Sequence, residues 1–143
     1  MTVLDDACSV LLVDDDFDDQ YLIVSALDEL KLNVQLGYCE SGWLALKKLS
    51  RMITEGAALP NFVLLDINMP EMDGVEFLHL LRKKRGLEQL PVVVYTTSRA
   101  EHDMARCYEA GANTYVVKPS NYTEIKSVLA KLCAYWGDTS VCR

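Results

Sequence analysis

Short, mainly apolar runs alternate with longer stretches in which apolar residues recur three and four positions apart, and the alternation repeats five times. Residues 9–13 form the first run and end on an acidic cluster; residues 18–30 follow with helical spacing. Residues 34–39 read as a second strand. Ser41 is a suitable N-cap for a helix that carries Trp43, Leu44, Leu46 and Leu49, with Trp43 expected in the core. Gly56 and Pro60 mark a loop before a third strand at 62–65, and an Asn68-Met69-Pro70 turn precedes a helix over 75–84. A fourth strand at 91–95, a helix over 101–110 with Gly111 as its C′ residue, a fifth strand at 114–117 and a last amphipathic helix over 121–136 complete the pattern. The strands are continuous apolar runs, without in/out alternation, which implies a parallel sheet covered by helices on both faces. The expected fold is α/β, a doubly wound (βα)5 unit with its core over about residues 8–136 of a single 1–143 domain and no output domain.

Composition narrows the function classes. Half of the 143 residues are hydrophobic, as in ordinary globular protein, and no apolar run approaches the roughly 18 residues of a membrane span. With no basic-then-apolar leader at the N-terminus, the chain is expected in the cytoplasm. Five scattered cysteines (Cys8, Cys39, Cys107, Cys133, Cys142) without CxxC spacing point to reduced thiols, not to a zinc site or a disulfide framework. A net charge of −7 argues against nucleic-acid binding. The densest basic cluster, Arg82-Lys83-Lys84-Arg85, falls at a helix end, where it would complement the helix dipole on a solvated face.

In doubly wound sheets ligands bind beyond the carboxyl ends of the strands. The residues standing there are Asp14, Asp15 and Asp16 after the first strand and Asp66 after the third. Thr96, Thr97 and Ser98 follow the fourth, and Lys118 the fifth. Two carboxylates about 5 Å apart repel by about 3 kcal/mol at an effective dielectric of about 20, so three of them need a counter-charge. An all-oxygen donor set selects a hard divalent cation, Mg²⁺ above others with Mn²⁺ an alternative. Such an ion neutralises charge on a phosphoryl group, Asp66 is the candidate nucleophile, and Thr96 and Lys118 can hold phosphoryl oxygens. Asp18 and Asp19 are expected as N-cap and first-turn residues. Asp73-Gly74 reads as turn and helix-start chemistry, and His79 and His102, without ligand companions, as surface residues.

Four segments carry a family resemblance: Leu11-Leu12-Val13-Asp14-Asp15, the run from Leu64 through Asp66-Ile67-Asn68-Met69-Pro70 to Gly74, Val94-Tyr95-Thr96-Thr97-Ser98, and Tyr115-Val116-Val117-Lys118-Pro119. From Val10 to Trp136 the chain resembles the response-regulator receiver domain. The resemblance implies a flavodoxin-like strand order of 2-1-3-4-5. It further implies Asp14 and Asp15 as the metal-binding pair, Asp66 as phosphoacceptor, and the Asn68 backbone carbonyl as a further metal ligand. Thr96 would be the switch hydroxyl, Tyr115 the switch aromatic and Lys118 the phosphate-binding amine, aimed inward by a cis Lys118–Pro119 bond. More narrowly, Asp14-Asp15-Asp16, Asp18-Asp19, residues 91–98 and Tyr135-Trp136 are similar to stand-alone receivers that partner phytochrome-type histidine kinases. That likeness implies a histidine kinase as donor, a downstream or phosphotransfer protein as recipient, and a homodimer through the fourth helix, fifth strand and fifth helix. Tyr115, Tyr122 and Trp136 are candidates for that contact. Asn68 and Ser98, on the family's route for attacking water, are weak bases, which implies slow dephosphorylation.

Two other readings compete. A haloacid-dehalogenase-type phosphohydrolase needs a second aspartate two residues after the nucleophile, and that position is Asn68. A receiver-like module that binds partners without phosphorylation would leave the acidic constellation unused.

Overall fold

The computed structural model describes residues 8–137. Five parallel strands, β1 (Cys8–Val13), β2 (Val34–Cys39), β3 (Phe62–Leu65), β4 (Val92–Thr96) and β5 (Thr114–Val117), form one sheet in the order β2-β1-β3-β4-β5. They alternate with α1 (Phe17–Leu30), α2 (Gly42–Glu55), α3 (Gly74–Lys83), α4 (Glu101–Glu109) and α5 (Tyr122–Trp136). The doubly wound (βα)5 architecture and its strand order are those expected from the sequence.

The two helical layers explain the apolar strands. Val10 and Leu12 face a core with Ile23, Ala26 and Leu27 of α1 and Ile125, Leu129 and Leu132 of α5. Leu11 and Val13 face the other core, with Leu46 and Leu49 of α2, Phe77 and Leu81 of α3 and Cys107 of α4. In the central strands β1, β3 and β4 both faces are buried toward the carboxyl end, so neither parity of strand position is polar there until the strand ends, whereas the edge strand β2 carries an exposed Gln35. The register pairs Val13 of β1 with Leu65 of β3, which places Asp14 and Asp66 on neighbouring strands just past the apolar layer.

Helix starts are set by caps. Asp16 caps α1 by accepting from the Asp18 backbone N–H, so the helix begins earlier than the apolar spacing suggested and Asp18 is not its N-cap. Ser41 caps α2, and Asn121 caps α5. Asp73 and Glu76 form a reciprocal capping box at α3. A Cβ on Gly74 would sit 2.6 Å from the Ile67 Cα and 3.0 Å from the Asp66 carbonyl oxygen, so this glycine lets α3 start hard against the end of β3. Gly111, with φ of +108°, occupies the expected position after α4.

Two expectations are corrected. Trp43 is 57% exposed, because the buried stripe of α2 is Gly42, Ala45, Leu46 and Leu49, and position 43 falls off it. Arg82 is not on a solvated face. Its half-buried guanidinium donates to the carbonyls of Gly111 (2.7 and 3.1 Å), Leu87 (3.1 Å) and Leu90 (2.8 Å) and to Asn113 Oδ1 (3.0 Å). It thereby pins the loop after α3 to the turn between α4 and β5. Cys8, Cys39, Cys107 and Cys133 are free thiols, as expected, and Cys142 lies outside the described residues. His79 and His102 are exposed.

Replacing Arg82 strands several carbonyls at once. Arg82→Ala is expected to cost about 2–4 kcal/mol of unfolding free energy, measured by urea titration. Arg82→Lys, with a point charge in place of the planar fork, is expected to recover less than half of that loss.

Candidate functional site

The carboxyl ends of β1, β3, β4 and β5 converge on one acidic cleft. Its lining includes Asp15, Asp16, Asp18, Asp19, Asp66, Asn68, Thr97 and Lys118, so five carboxylates meet a single amine, while Asp14 lies fully buried beneath. Oxygens of Asp14, Asp15 and Asp66 lie within 4.8 Å of one another, and no other such cluster of three occurs among the described residues. Asp16 stands apart from that trio as the α1 cap.

Lys118 is the counter-charge. Its Nζ donates to Asp66 Oδ2 at 3.2 Å, to Asp14 Oδ2 at 3.4 Å and to Asp19 Oδ2. The Tyr95 ring lies 5.7 Å from the same nitrogen. Burial pulls the Lys118 amine down, but the Asp19 hydrogen bond and the charges of Asp66, Asp14 and Asp19 outweigh it and hold it above the ordinary lysine range. Burial dominates at Asp14. It pushes the carboxyl up to about 7, aided by Asp66 and Asp19 and opposed by the Asp16 backbone N–H and Lys118.

The expected cis Lys118–Pro119 bond is corrected, since the described residues contain no cis peptide. Lys118 points inward regardless. Its backbone N–H is held by the Thr96 carbonyl at 2.7 Å, and three carboxylates draw the amine.

Asp66, itself buried, accepts the Asn68 backbone N–H at 3.1 Å through Oδ1. The Asn68 side chain donates to the buried Thr96 Oγ1 (3.4 Å), which also accepts from the Ser98 backbone N–H (3.3 Å). The Ser98 hydroxyl donates to Asp103 of α4 at 2.6 Å, and the Tyr115 hydroxyl donates to the Ser98 carbonyl at 3.0 Å. A continuous set of hydrogen bonds therefore runs from Asp66 through Asn68 and Thr96 to α4 and β5. Thr97, next to Thr96, turns to the exposed rim.

Asp19, expected foremost as a first-turn residue of α1, is also bonded to Lys118 in the site. A signal was present in the sequence: Asp19 lies four residues before Ile23, on the helix stripe that continues to Ala26 and Leu27 and faces the sheet. Asp18 falls off that stripe.

Three clustered carboxylates, Asp14 and Asp66 buried and Asp15 exposed, with a buried hydroxyl and an inward lysine at the strand ends of a 2-1-3-4-5 sheet, define a receiver module. The model of the response regulator receiver domain matches residues 10–130, and the chain belongs to that family. The chain is 33% identical to a probable methanogenesis regulatory protein, FilR2, of Methanothrix harundinacea, over 92% of this chain and 85% of that one. It is 31% identical to response regulator Rcp1 of Synechocystis, over 91% of this chain and 89% of that one. The Mn²⁺-bound structure of Rcp1 aligns with a TM-score of 0.75 over 92% of this chain and 95% of that one. The phosphorylated cyanobacterial phytochrome response regulator RcpA, 29% identical, aligns with a TM-score of 0.82 over 94% of this chain and 96% of that one. The protein is thus a two-component response regulator, and among its structural neighbours are regulators of phytochrome signalling. No helix of the described residues is long and apolar enough to cross a membrane.

The raised Asp14 pKa has a measurable consequence in metal-free protein. Between the ordinary value of 3.8 and about 7, the folded chain holds a proton on Asp14 that the unfolded chain has lost. This contribution to stability is therefore full below about pH 4 and is lost as pH rises through about 7. Urea midpoints in EDTA are expected to fall across that window, and Asp14→Asn to remove that component of the fall.

Proposed function

We propose that Asp66 accepts a phosphoryl group from a histidine kinase and that the resulting aspartyl phosphate changes the surface around Thr96, Ser98 and Tyr115. The observation that carries this reading is the approach of the Asp14, Asp15 and Asp66 oxygens to within 4.8 Å while Lys118 holds the Asp66 carboxylate. The donor set is all oxygen and strongly acidic, which fits Mg²⁺, with Mn²⁺ as a substitute. Asp14, Asp15, Asp66 and the Asn68 backbone carbonyl would hold the ion, which supplies charge neutralisation for the phosphoryl oxygens. An Asp66 oxygen attacks phosphorus, the bond from phosphorus to the donor nitrogen breaks, and the electron pair leaves on the donor imidazole. Lys118 pairs with one phosphoryl oxygen and Thr96 donates to another. Because Thr96 is tied to Asn68 and Ser98, its turning toward the phosphoryl group would break those bonds and release Ser98 from its present relation to Asp103 and Tyr115.

Asn68 and Ser98 flank the site with an amide and a hydroxyl already committed to Thr96 and Asp103. Neither activates water, so the acyl phosphate is expected to persist for about minutes. The phytochrome-type relatives favour a kinase of that class as donor and a downstream or phosphotransfer protein as recipient in the cytoplasm. They also favour a homodimer through α4, β5 and α5. The apolar surface there comes from Met104 and Tyr108, one turn apart on α4, and from Tyr135, all exposed. The expected Tyr115, Tyr122 and Trp136 are half-buried, with Tyr115 bonded to Ser98 and Tyr122 to Glu29.

Incubation with acetyl phosphate and Mg²⁺ is expected to add one phosphoryl group to the intact mass, with none added to Asp66→Ala or in EDTA. No adduct under conditions that label another receiver would instead favour a phosphate-independent binding module. Light scattering is expected to show a mass increase on phosphorylation. An unchanged mass would remove the dimer from this reading.

A further inference from the structure

Lys118 has three N–H donors, and all three are spent on carboxylates: Asp14, Asp66 and Asp19. Two of these acceptors, Asp14 and Asp66, belong to the trio whose oxygens approach within 4.8 Å; the third does not. An ammonium 3.2 Å from Asp66 and 3.4 Å from Asp14 is a rival of any cation that needs the same oxygens. Left to electrostatics alone, a flexible four-carbon stem would carry the amine as far into that trio as sterics permit.

Asp19 pulls the other way. It sits in the first turn of α1, three residues beyond the Asp16 cap, and so is fixed on rigid backbone. Its side chain is 20% exposed, and its Oδ2 accepts a hydrogen bond from the Lys118 Nζ. Among the cleft carboxylates Asp19 contacts the lysine without belonging to the trio.

We propose that Asp19 is a positioning residue that tethers the Lys118 ammonium toward α1, holding it at 3.2 Å from Asp66 and 3.4 Å from Asp14 and no closer, so that a divalent cation can compete for those oxygens. This rests on the metal-assisted reading above. The tether also holds the amine beside Asp66, where a phosphoryl oxygen would meet it, so one carboxylate serves both metal access and lysine aim. The effect of Asp19 on metal affinity therefore runs through Lys118 and not only through its own negative charge.

A double-mutant cycle on the full chain separates the two. Mg²⁺ alone is titrated into wild type, Asp19→Asn, Lys118→Met and the Asp19→Asn/Lys118→Met pair, with affinity read from amide NMR shifts and fold integrity from thermal unfolding. Groups that orient metal ligands from behind are worth about 10- to 100-fold in affinity, so Asp19→Asn is expected to weaken Mg²⁺ about tenfold. In the Lys118→Met background, where no ammonium remains to restrain, the same substitution is expected to change affinity by less than about twofold. Asp19→Glu, which keeps a carboxylate on α1, is expected to restore most of the wild-type affinity. Equal weakening in both backgrounds would overturn the tether and leave only a charge effect, and so would no weakening in either. A wild-type chain that binds no Mg²⁺ would overturn the metal reading itself, and the tether with it.

Discussion

The structure turns on one charge balance, that of Lys118 against the carboxylates of Asp14, Asp19 and Asp66. Asp14 is fully buried, and an ionised carboxylate removed from water costs several kcal/mol unless it is paired. The pairing cannot be local. Lys118 comes from the end of β5, two strands away from Asp66 on β3 and three from Asp14 on β1, and reaches across the end of β4 to both. A parallel sheet makes this arrangement available because all its strands point their carboxyl ends at the same edge. Its apolar interior, closed on both faces, leaves that edge as the place where polar side chains can gather.

The same edge joins chemistry to surface. Asp66 touches the Asn68 backbone, Asn68 touches Thr96, and Thr96 and Tyr115 both bond to Ser98, which holds Asp103 on α4. Any event that draws Thr96 toward Asp66 disturbs bonds that end on α4 and β5, with no need for the core to move. The core is packed on both faces of the sheet, against α1 and α5 on one and α2, α3 and α4 on the other, with Arg82 pinning the turns at the opposite end. Gly74 contributes by closeness. A side chain there would push α3 off the end of β3 and displace the Asp66 carbonyl.

How much of the molecule is legible in residue order follows from how far along the chain each interaction reaches. Apolar runs ending in Asp14, Asp66, Thr96 and Lys118 were legible because strands covered on both sheet faces lose their in/out alternation, and a short uninterrupted apolar run can be read from residue order. The helix start at Asp73-Gly74 and the C′ position of Gly111 were legible because they involve near neighbours. Trp43 was misplaced because a large apolar residue next to a buried stripe looks like part of it until the helix is oriented against the sheet. Arg82 was misread as one of four solvated cations, since its acceptors at Leu90, Gly111 and Asn113 are 8 to 31 residues away. Asp19 was read as helix-start chemistry for the same reason: its partner is 99 residues distant.

By itself, then, the chain determined the (βα)5 alternation, the Ser41 cap of α2 and the chemical type of every group at the strand ends. These depend on local spacing and on the partition of apolar side chains from water, both of which are written in residue order. The tertiary structure alone decided which of six nearby aspartates share one small volume and which one holds the lysine. It also decided that Lys118 turns inward on a trans bond and that Arg82 is a clamp. Those outcomes are set by distances of a few ångströms between segments far apart in the chain, where Coulomb energies change steeply and residue order carries no record of separation.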